Sequence, residues 1–324
     1  MHNKRIKLWM LFFVINVFGL LVLAGWGYQE YLLPLPPWLG NSRQNIDKLA
    51  HNNNDSAFSF ALIADIHSIR EYSEDLFDKL LLTKPDFMVI LGDFVHAADI
   101  HEYHFFTAEM NEIKSPCPVF IIPGNHDITD DNPATKQLFK TLWGPMNFFF
   151  HYKGCLFIFL NNATHKSVPE SWDFLNNTLA REAQKAKKIF LFSHIPPFYR
   201  DRNSRELVTN NDYAPLLNLI EQYKVDYLFT GHLHERVVKR IGNCMVLSVG
   251  SGGGKLRGKD LLYNGIIIYF DGNTIYKKDL FAHWTMGVED AVQRILFLSI
   301  YPVIHEVAGI FHDSIRYGKK TGRG

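Results

Sequence analysis

The pairs Asp65-x-His67 and His232-x-His234 each set two polar donors two residues apart, and Gly92-Asp93, Gly124-Asn125-His126-Asp127 and Ser193-His194 fall between them along the chain. In an extended segment, residues two apart point the same way, so each pair can face one point. Carboxylate, amide and imidazole groups converging on a point would hold a divalent cation. With no thiolate among them, the set suits Mn, Fe or Zn. Taken singly these signals mean little: a lone His after a strand is more often a hydrogen-bonded surface or core residue, and a lone Gly-Asp is usually a turn. Turn chemistry alone, however, would use Ser, Gly and Asn freely and would not choose His so often in one repeated position.

That position is the end of a strand. Short apolar runs at 58–64, 87–91, 119–122, 156–160, 189–192 and 227–229 read as strands, and 74–82, 102–113, 172–186 and 213–223 as helices between them. This βαβ rhythm predicts a largely parallel sheet covered by helices, with ligands beyond the carboxyl ends of the strands. Gly92, Gly124 and Gly231 permit the tight turns such a site needs. After Gly231 the pattern shifts to strand-like runs at 237–241, 245–249, 265–270 and 274–278 joined by Gly- and Asn-rich turns, which predicts a second, more antiparallel sheet.

In this order, "DIH", "GD", "GNHD", "SH" and "GHLH" resemble the motif set of the calcineurin-like metallophosphoesterase superfamily, over roughly residues 58–280. The resemblance implies an α/β fold, a four-layer αββα sandwich of two mixed β-sheets flanked by helices, with a two-metal site at the strand ends. It implies that Asp65, His67 and His234 hold one cation, that Asn125, His194 and His232 hold the other, and that Asp93 bridges them. Two divalent ions, two carboxylates and a bridging hydroxide leave about one positive charge facing an anionic substrate. The implied activity is hydrolysis of a phosphomonoester, phosphodiester or pyrophosphate bond by metal-activated hydroxide. His126 is then the general acid for the departing oxygen, and Asp127 holds its imidazole and raises its pKa. Asp127 also reads as a plain helix N-cap before "ITDDN".

The first forty residues carry a separate signal. From Leu8 to Gly27 there are 20 residues without a charge, and Asn16 is the one clearly polar side chain. As a helix this run is about 30 Å long, the thickness of a bilayer's hydrocarbon core. Lys4, Arg5 and Lys7 precede it and no basic residue follows until Arg43, which places the N-terminus in the cytoplasm. The expected organisation is a cytoplasmic N-terminus (1–7), a transmembrane signal anchor (8–27), a linker (28–57), the catalytic domain (58–280) on the exported side, and a helical extension and tail (281–324). The competing reading is a signal peptide cleaved near Val22-Leu23-Ala24. An anchor favours a substrate near the membrane, such as a phospholipid or a lipid-linked sugar phosphate, with a nucleotide or cyclic nucleotide as the soluble alternative.

The remaining features bound the reading. A net charge of +1 gives no global attraction to nucleic acid. The three cysteines lack metal-ligand spacing, and their odd number excludes a fully paired disulfide framework. After His194, Arg200, Arg202 and Arg205 form either a solvated loop or a lid on the substrate, where guanidinium groups suit phosphate. "GSGGGKLRGK" (250–259) lacks P-loop spacing and reads as a turn near the site. His96, three residues past Asp93, stands where relatives often carry an acidic or amide residue. It is a candidate substrate contact or outer-sphere group. The apolar but broken stretch 288–311 reads as a helix packed on the domain, or alternatively as one lying on a membrane or at a dimer contact. A non-catalytic scaffold keeping this fold is the rival from another class.

Overall fold

The computed structural model of the chain describes residues 2–31, 41–50, 56–68, 71–129, 133–164, 168–201, 207–258, 261–283, 292 and 295–304. It divides into two compact units, Pro36–Met286 and the pair of segments Met1–Leu35 with Gly287–Gly324.

In the larger unit, helix α2 (Ser42–Ala50) is followed by β1 (Phe58–Ile63), α3 (Glu71–Leu82), β2 (Phe87–Leu91), α4 (Ile100–Ile113), β3 (Val119–Ile122), α5 (Pro133–Trp143), β4 (Phe148–Tyr152) and β5 (Cys155–Leu160). Then come α6 (Pro169–Glu182), β6 (Ile189–Ser193), β7 (Phe198–Arg200), β8 (Leu207–Thr209), α7 (Ala214–Gln222), β9 (Tyr227–Thr230), β10 (Arg236–Ile241), β11 (Cys244–Val249), β12 (Asn264–Phe270) and β13 (Ile275–Phe281). One five-stranded sheet runs β13-β12-β1-β2-β3 and one six-stranded sheet runs β10-β11-β9-β6-β5-β4. Both are mixed: β1, β2 and β3 are parallel with β12 antiparallel to β1, and β5, β6, β9 and β11 are parallel with antiparallel strands at each edge.

The break expected at Gly231 is therefore elsewhere. The parallel strands are shared between two sheets, and of the strands after Gly231, β10 and β11 join one sheet while β12 and β13 join the other. Side-chain size explains why two sheets form. Along β5, Cys155, Phe157 and Phe159 point into the space between the sheets while Leu156, Ile158 and Leu160 face helices. In β6, Phe190 and Phe192 repeat the pattern against Ile189 and Leu191. The Phe rows stack, Phe157 on Phe190 at 4.9 Å and Phe159 on Phe192 at 4.6 Å, and meet Phe60 and Phe87 of the facing sheet edge-on. Offset and edge-to-face aromatic contacts of this kind are favourable beyond the area they bury. On the outer faces, α6 and α7 cover the six-stranded sheet and α3 lies against β12 and β13.

Two expected boundaries move. Residues 42–50, inside the expected linker, form α2, whose Leu49 enters the core between the sheets and whose Asn45 donates to the Val119 carbonyl at 2.8 Å. Asn41 starts the helix by accepting from the Gln44 N–H. The rest of that linker at 32–40 and 51–55 lies outside the described residues, as do 305–324.

The smaller unit contains α1 (His2–Tyr31) and the described residues between 292 and 304, including a π-helical turn at Leu296–Ile300. Tyr301 is buried with its ring 5.9 Å from that of Tyr28. The described part of the C-terminal stretch thus groups with α1. Side chains of α1 are described at 9–19, 21, 22, 25 and 28, and large apolar ones there are exposed, Phe13 at 68% for example. Among the described residues no helix is long and apolar enough to cross a membrane.

Candidate metal centre

Each donor singled out by the sequence leaves the carboxyl end of a parallel strand. Asp65 and His67 follow β1, Asp93 follows β2, Asn125 and His126 follow β3, His194 follows β6, and His232 and His234 follow β9. Hydrogen bonds continue the strand pairing into these loops: Asp65 N–H to the Gly92 carbonyl at 3.1 Å, His67 N–H to that of Asp93 at 2.9 Å, and Gly231 N–H to that of His194 at 2.9 Å. Asp65, His67, Asp93, His232 and His234 all adopt positive φ, between 49° and 70°. For residues with a Cβ that conformation costs on the order of 1–3 kcal/mol each and clusters at functional sites. Gly124 is required for a different reason. A Cβ there would lie 2.1 Å from Asp93 Oδ1, so any side chain would push that carboxylate aside.

Two clusters result, with Asp93 in both. His67 Nε2 lies 3.2 Å from His234 Nε2 and 3.6 Å from Asp93 Oδ2, and His234 Nε2 lies 3.3 Å from Asp65 Oδ1. On the other side, His194 Nε2 is 3.2 Å from both Asp93 Oδ2 and Asn125 Oδ1, and His232 Nδ1 is 2.8 Å from Asn125 Oδ1. The free oxygen of Asp93, Oδ2, is the one turned to both clusters, because Oδ1 accepts from the His126 N–H at 2.8 Å. The outer ring nitrogens are held too: His194 Nδ1–H donates to the Leu91 carbonyl at 2.7 Å and His234 Nδ1–H to that of Lys255 at 2.6 Å. Each bond fixes the tautomer that aims the Nε2 lone pair inward. Two buried carboxylates and four imidazoles meet here, and neither Lys nor Arg pairs with the carboxylates among the described residues. That donor set fits two divalent cations, one held by Asp65, His67, Asp93 and His234 and one by Asp93, Asn125, His194 and His232.

The protein's own field, before any cation's charge is added, treats these rings differently. Burial pushes His67 down to about 3 and His234 to about 4, so both are neutral donors near pH 7. Burial also opposes a charge on His194, but Asp93 beside it outweighs burial and holds the ring up at about 9. Burial likewise opposes the charge of Asp93, yet His194 and the His126 N–H keep that carboxyl well below the usual range. A cation taking His194 as ligand must therefore displace a proton at every pH below about 9. Apparent affinity at the His194 position should rise about tenfold for each pH unit between 6 and 8, one proton being released. Calorimetric titration of the stripped protein in buffers of different ionisation enthalpy reads that proton directly; binding without proton release would contradict the protonated state of His194 in the stripped protein.

Asp127 does not hold the His126 imidazole. Its carboxylate accepts from the N–H groups of Asp93 (2.7 Å), Gly124 (2.7 Å) and Val95 (3.1 Å), and it is fully buried. It is not a helix cap either, since Ile128 and Thr129 after it are not helical. Asp127 instead ties the β2 and β3 loops together. Burial and the neighbouring Asp93 push its carboxyl up to about 8. Asp127→Ala should lower stability by roughly 3–5 kcal/mol, because it strands three backbone N–H donors; denaturant titration measures this, with Asp127→Asn intermediate. His126 Nδ1–H donates to the His96 carbonyl at 2.5 Å, which leaves Nε2 with no protein partner among the described residues. The His96 ring turns to His67, Nδ1 to Nδ1 at 3.3 Å. Arg200 ends β7 with its side chain undescribed, and Arg202 and Arg205 lie outside the described residues.

Two supporting groups escaped the sequence reading. Asn162 Oδ1 accepts from the N–H groups of His194 and Ile195, both at 3.0 Å, and steadies the β6 loop. The signal was available, since β5 also ends in polar residues, Asn161 and Asn162. Phe94, next to Asp93, anchors its loop among Tyr103, Phe106 and Trp143, at ring distances of 5.2, 4.6 and 4.7 Å.

Residues 58–236, more than half of the chain, match the family model of the calcineurin-like phosphoesterases. The serine/threonine-protein phosphatase CPPED1 of Danio rerio is 26% identical over 219 residues, covering 61% of this chain and 69% of that protein. A Pseudoalteromonas protein described as a probable cyclic nucleotide phosphodiesterase is 27% identical over 161 residues, covering 47% of this chain and 57% of that one. The purple acid phosphatase PPD1 from yellow lupin seeds shares the fold, with a TM-score of 0.58 at 15% identity; the match covers 70% of this chain and about half, 52%, of the lupin chain.

Proposed function

The chain belongs to the calcineurin-like phosphoesterase family and is a phosphoric ester hydrolase, and we propose that it works with two divalent cations, Mn, Fe or Zn, held by Asp65, His67, Asp93, Asn125, His194, His232 and His234. One observation carries this reading: a single oxygen, Asp93 Oδ2, faces His67 Nε2 on one side and His194 Nε2 on the other, at 3.6 and 3.2 Å. Two such cations would activate water and neutralise charge on a phosphoryl group. The chain's own part is positional. The loops fix the donors, Asp93 Oδ1 and the His126 N–H hold those two loops in register, and His126 presents Nε2 where a departing oxygen can take its proton. Two sheets back to back with helices outside them read as the four-layer sandwich expected of the family.

The test is to strip the protein, reload it with Mn, and compare an aryl phosphodiester with an aryl phosphomonoester. Metal-dependent turnover supports the reading, and the preferred ester narrows the substrate class. Turnover that survives full metal removal refutes it.

We propose, from the uncharged run Leu8–Gly27 and the exposed side chains at 9–19, 21 and 22, that the N-terminal segment attaches the chain to a membrane, although no described helix is long and apolar enough to cross one. That location is what favours a phospholipid or lipid-linked phosphate over a soluble nucleotide. Sequencing the N-terminus of the mature protein decides the anchor: a start at or near Gly25 means the segment is cleaved.

A further inference from the structure

We propose that His96 positions two groups at once, its ring holding the ligand His67 and its carbonyl holding the proton donor His126, with Glu102 fixing the segment from behind. The proposal rests on the two-cation reading and gives a task to a residue that reading does not use.

His194 and His234 lean on backbone carbonyls, which can only accept, so each ring has one available tautomer. His67 differs. Its Nε2 faces the centre, and its outer nitrogen meets another imidazole, His96 Nδ1 at 3.3 Å. If Nε2 binds a cation, the His67 proton must sit on Nδ1, and His96 Nδ1 must accept it. His67 is 6% exposed, so a residue 96 that cannot accept would leave a nearly buried N–H unpaired.

The same residue's carbonyl receives the His126 Nδ1–H at 2.5 Å, which selects Nε2 as the nitrogen open to substrate. That carbonyl is itself held in place. Glu102 Oε2 accepts from the N–H groups of His96 (2.5 Å) and Ala97 (2.9 Å), just before Ala98 turns through φ 50° and Asp99 caps α4. The rings of His96 and His126 lie 5.5 Å apart at 24°, and His67 meets His126 at 4.5 Å. His96 is exposed, so its ring fills no core, and the bland account of it as packing has little to explain.

Ring and carbonyl can be separated, because a substitution at 96 removes one and keeps the other. In the full chain, His96→Ala should release a cation to chelator 10–100-fold more readily, the usual effect of losing a ligand's outer partner. His96→Asn, whose amide oxygen can accept, should recover most of that loss. Neither should change the ratio of rates for an alkyl phosphate ester and a nitrophenyl ester. Glu102→Ala should keep both cations but slow the alkyl ester roughly tenfold more than the nitrophenyl ester, since a poor leaving group depends on the proton from His126. Wild-type cation retention in His96→Ala overturns the ring's role. An equal slowing of both esters in Glu102→Ala, the mark of a merely structural loss, overturns the carbonyl's. A wild-type chain that holds fewer than two cations would instead refute the two-cation reading itself.

Discussion

Asp93→Asn is expected to lower metal-dependent turnover by more than about 10³-fold and to leave the protein with one bound cation or none. The two oxygens of Asp93 do different things: Oδ1 accepts the His126 N–H at 2.8 Å, while Oδ2 faces His67 and His194. Asn has one oxygen. Turned one way it keeps the His126 contact and offers an NH₂ to two imidazole nitrogens; turned the other it keeps the central oxygen and sets NH₂ against an N–H. Either way it also removes one of two buried negative charges that two divalent cations need for balance. The change is nearly isosteric, and Asp127 still ties the loop through the residue-93 N–H, so the fold should persist. Metal analysis of the purified variant beside its rate decides the matter. Two cations and near-normal turnover in Asp93→Asn would sink the bridging role.

The donors were legible because strand ends are. An apolar run that stops at Asp, Asn or His is visible without knowing which sheet the strand joins, and Asp65, His67, Asp93, Asn125, His194, His232 and His234 do assemble around two points. The sheets themselves were harder to read. β5 and β6 are buried on both faces, so polar alternation, the usual mark of a strand's two sides, is missing. The alternation that does exist, Phe against aliphatic in "CLFIFL" and "IFLFS", tells the inter-sheet face from the helix face only once two sheets are known to pack. Asp127 failed for another reason. Adjacency to His126 in sequence suggested a contact, but the chain turns between them and the carboxylate points back to three N–H groups that no pattern announces. His96 was noticed as out of place, and its partner His67 could not be named, because the pairing crosses from the β2 loop to the β1 loop.

His126→Ala should separate catalysis from cation binding more cleanly than any ligand change. The His126 ring lies beside those of His67 and His96 but makes no hydrogen bond to the seven donors among the described residues, and the one bond residue 126 gives to the Asp93 carboxylate comes from its backbone N–H, which alanine keeps. Both cations should therefore stay. What is lost is the proton at Nε2, worth roughly 10²–10⁴ in rate when the leaving group is a poor one. An alkyl phosphate ester should feel the whole loss, and a nitrophenyl ester, whose departing oxygen needs no proton, very little. Asp127 is buried against its three donors and the His96 ring nitrogen Nδ1 already faces His67, so neither of these neighbours takes over the ring's place. An equal loss on both esters with two cations bound would reassign His126 from proton donor to binder of the phosphoryl oxygens. Unchanged rates on both would remove it from the reaction and leave the proton to come from water or from another group.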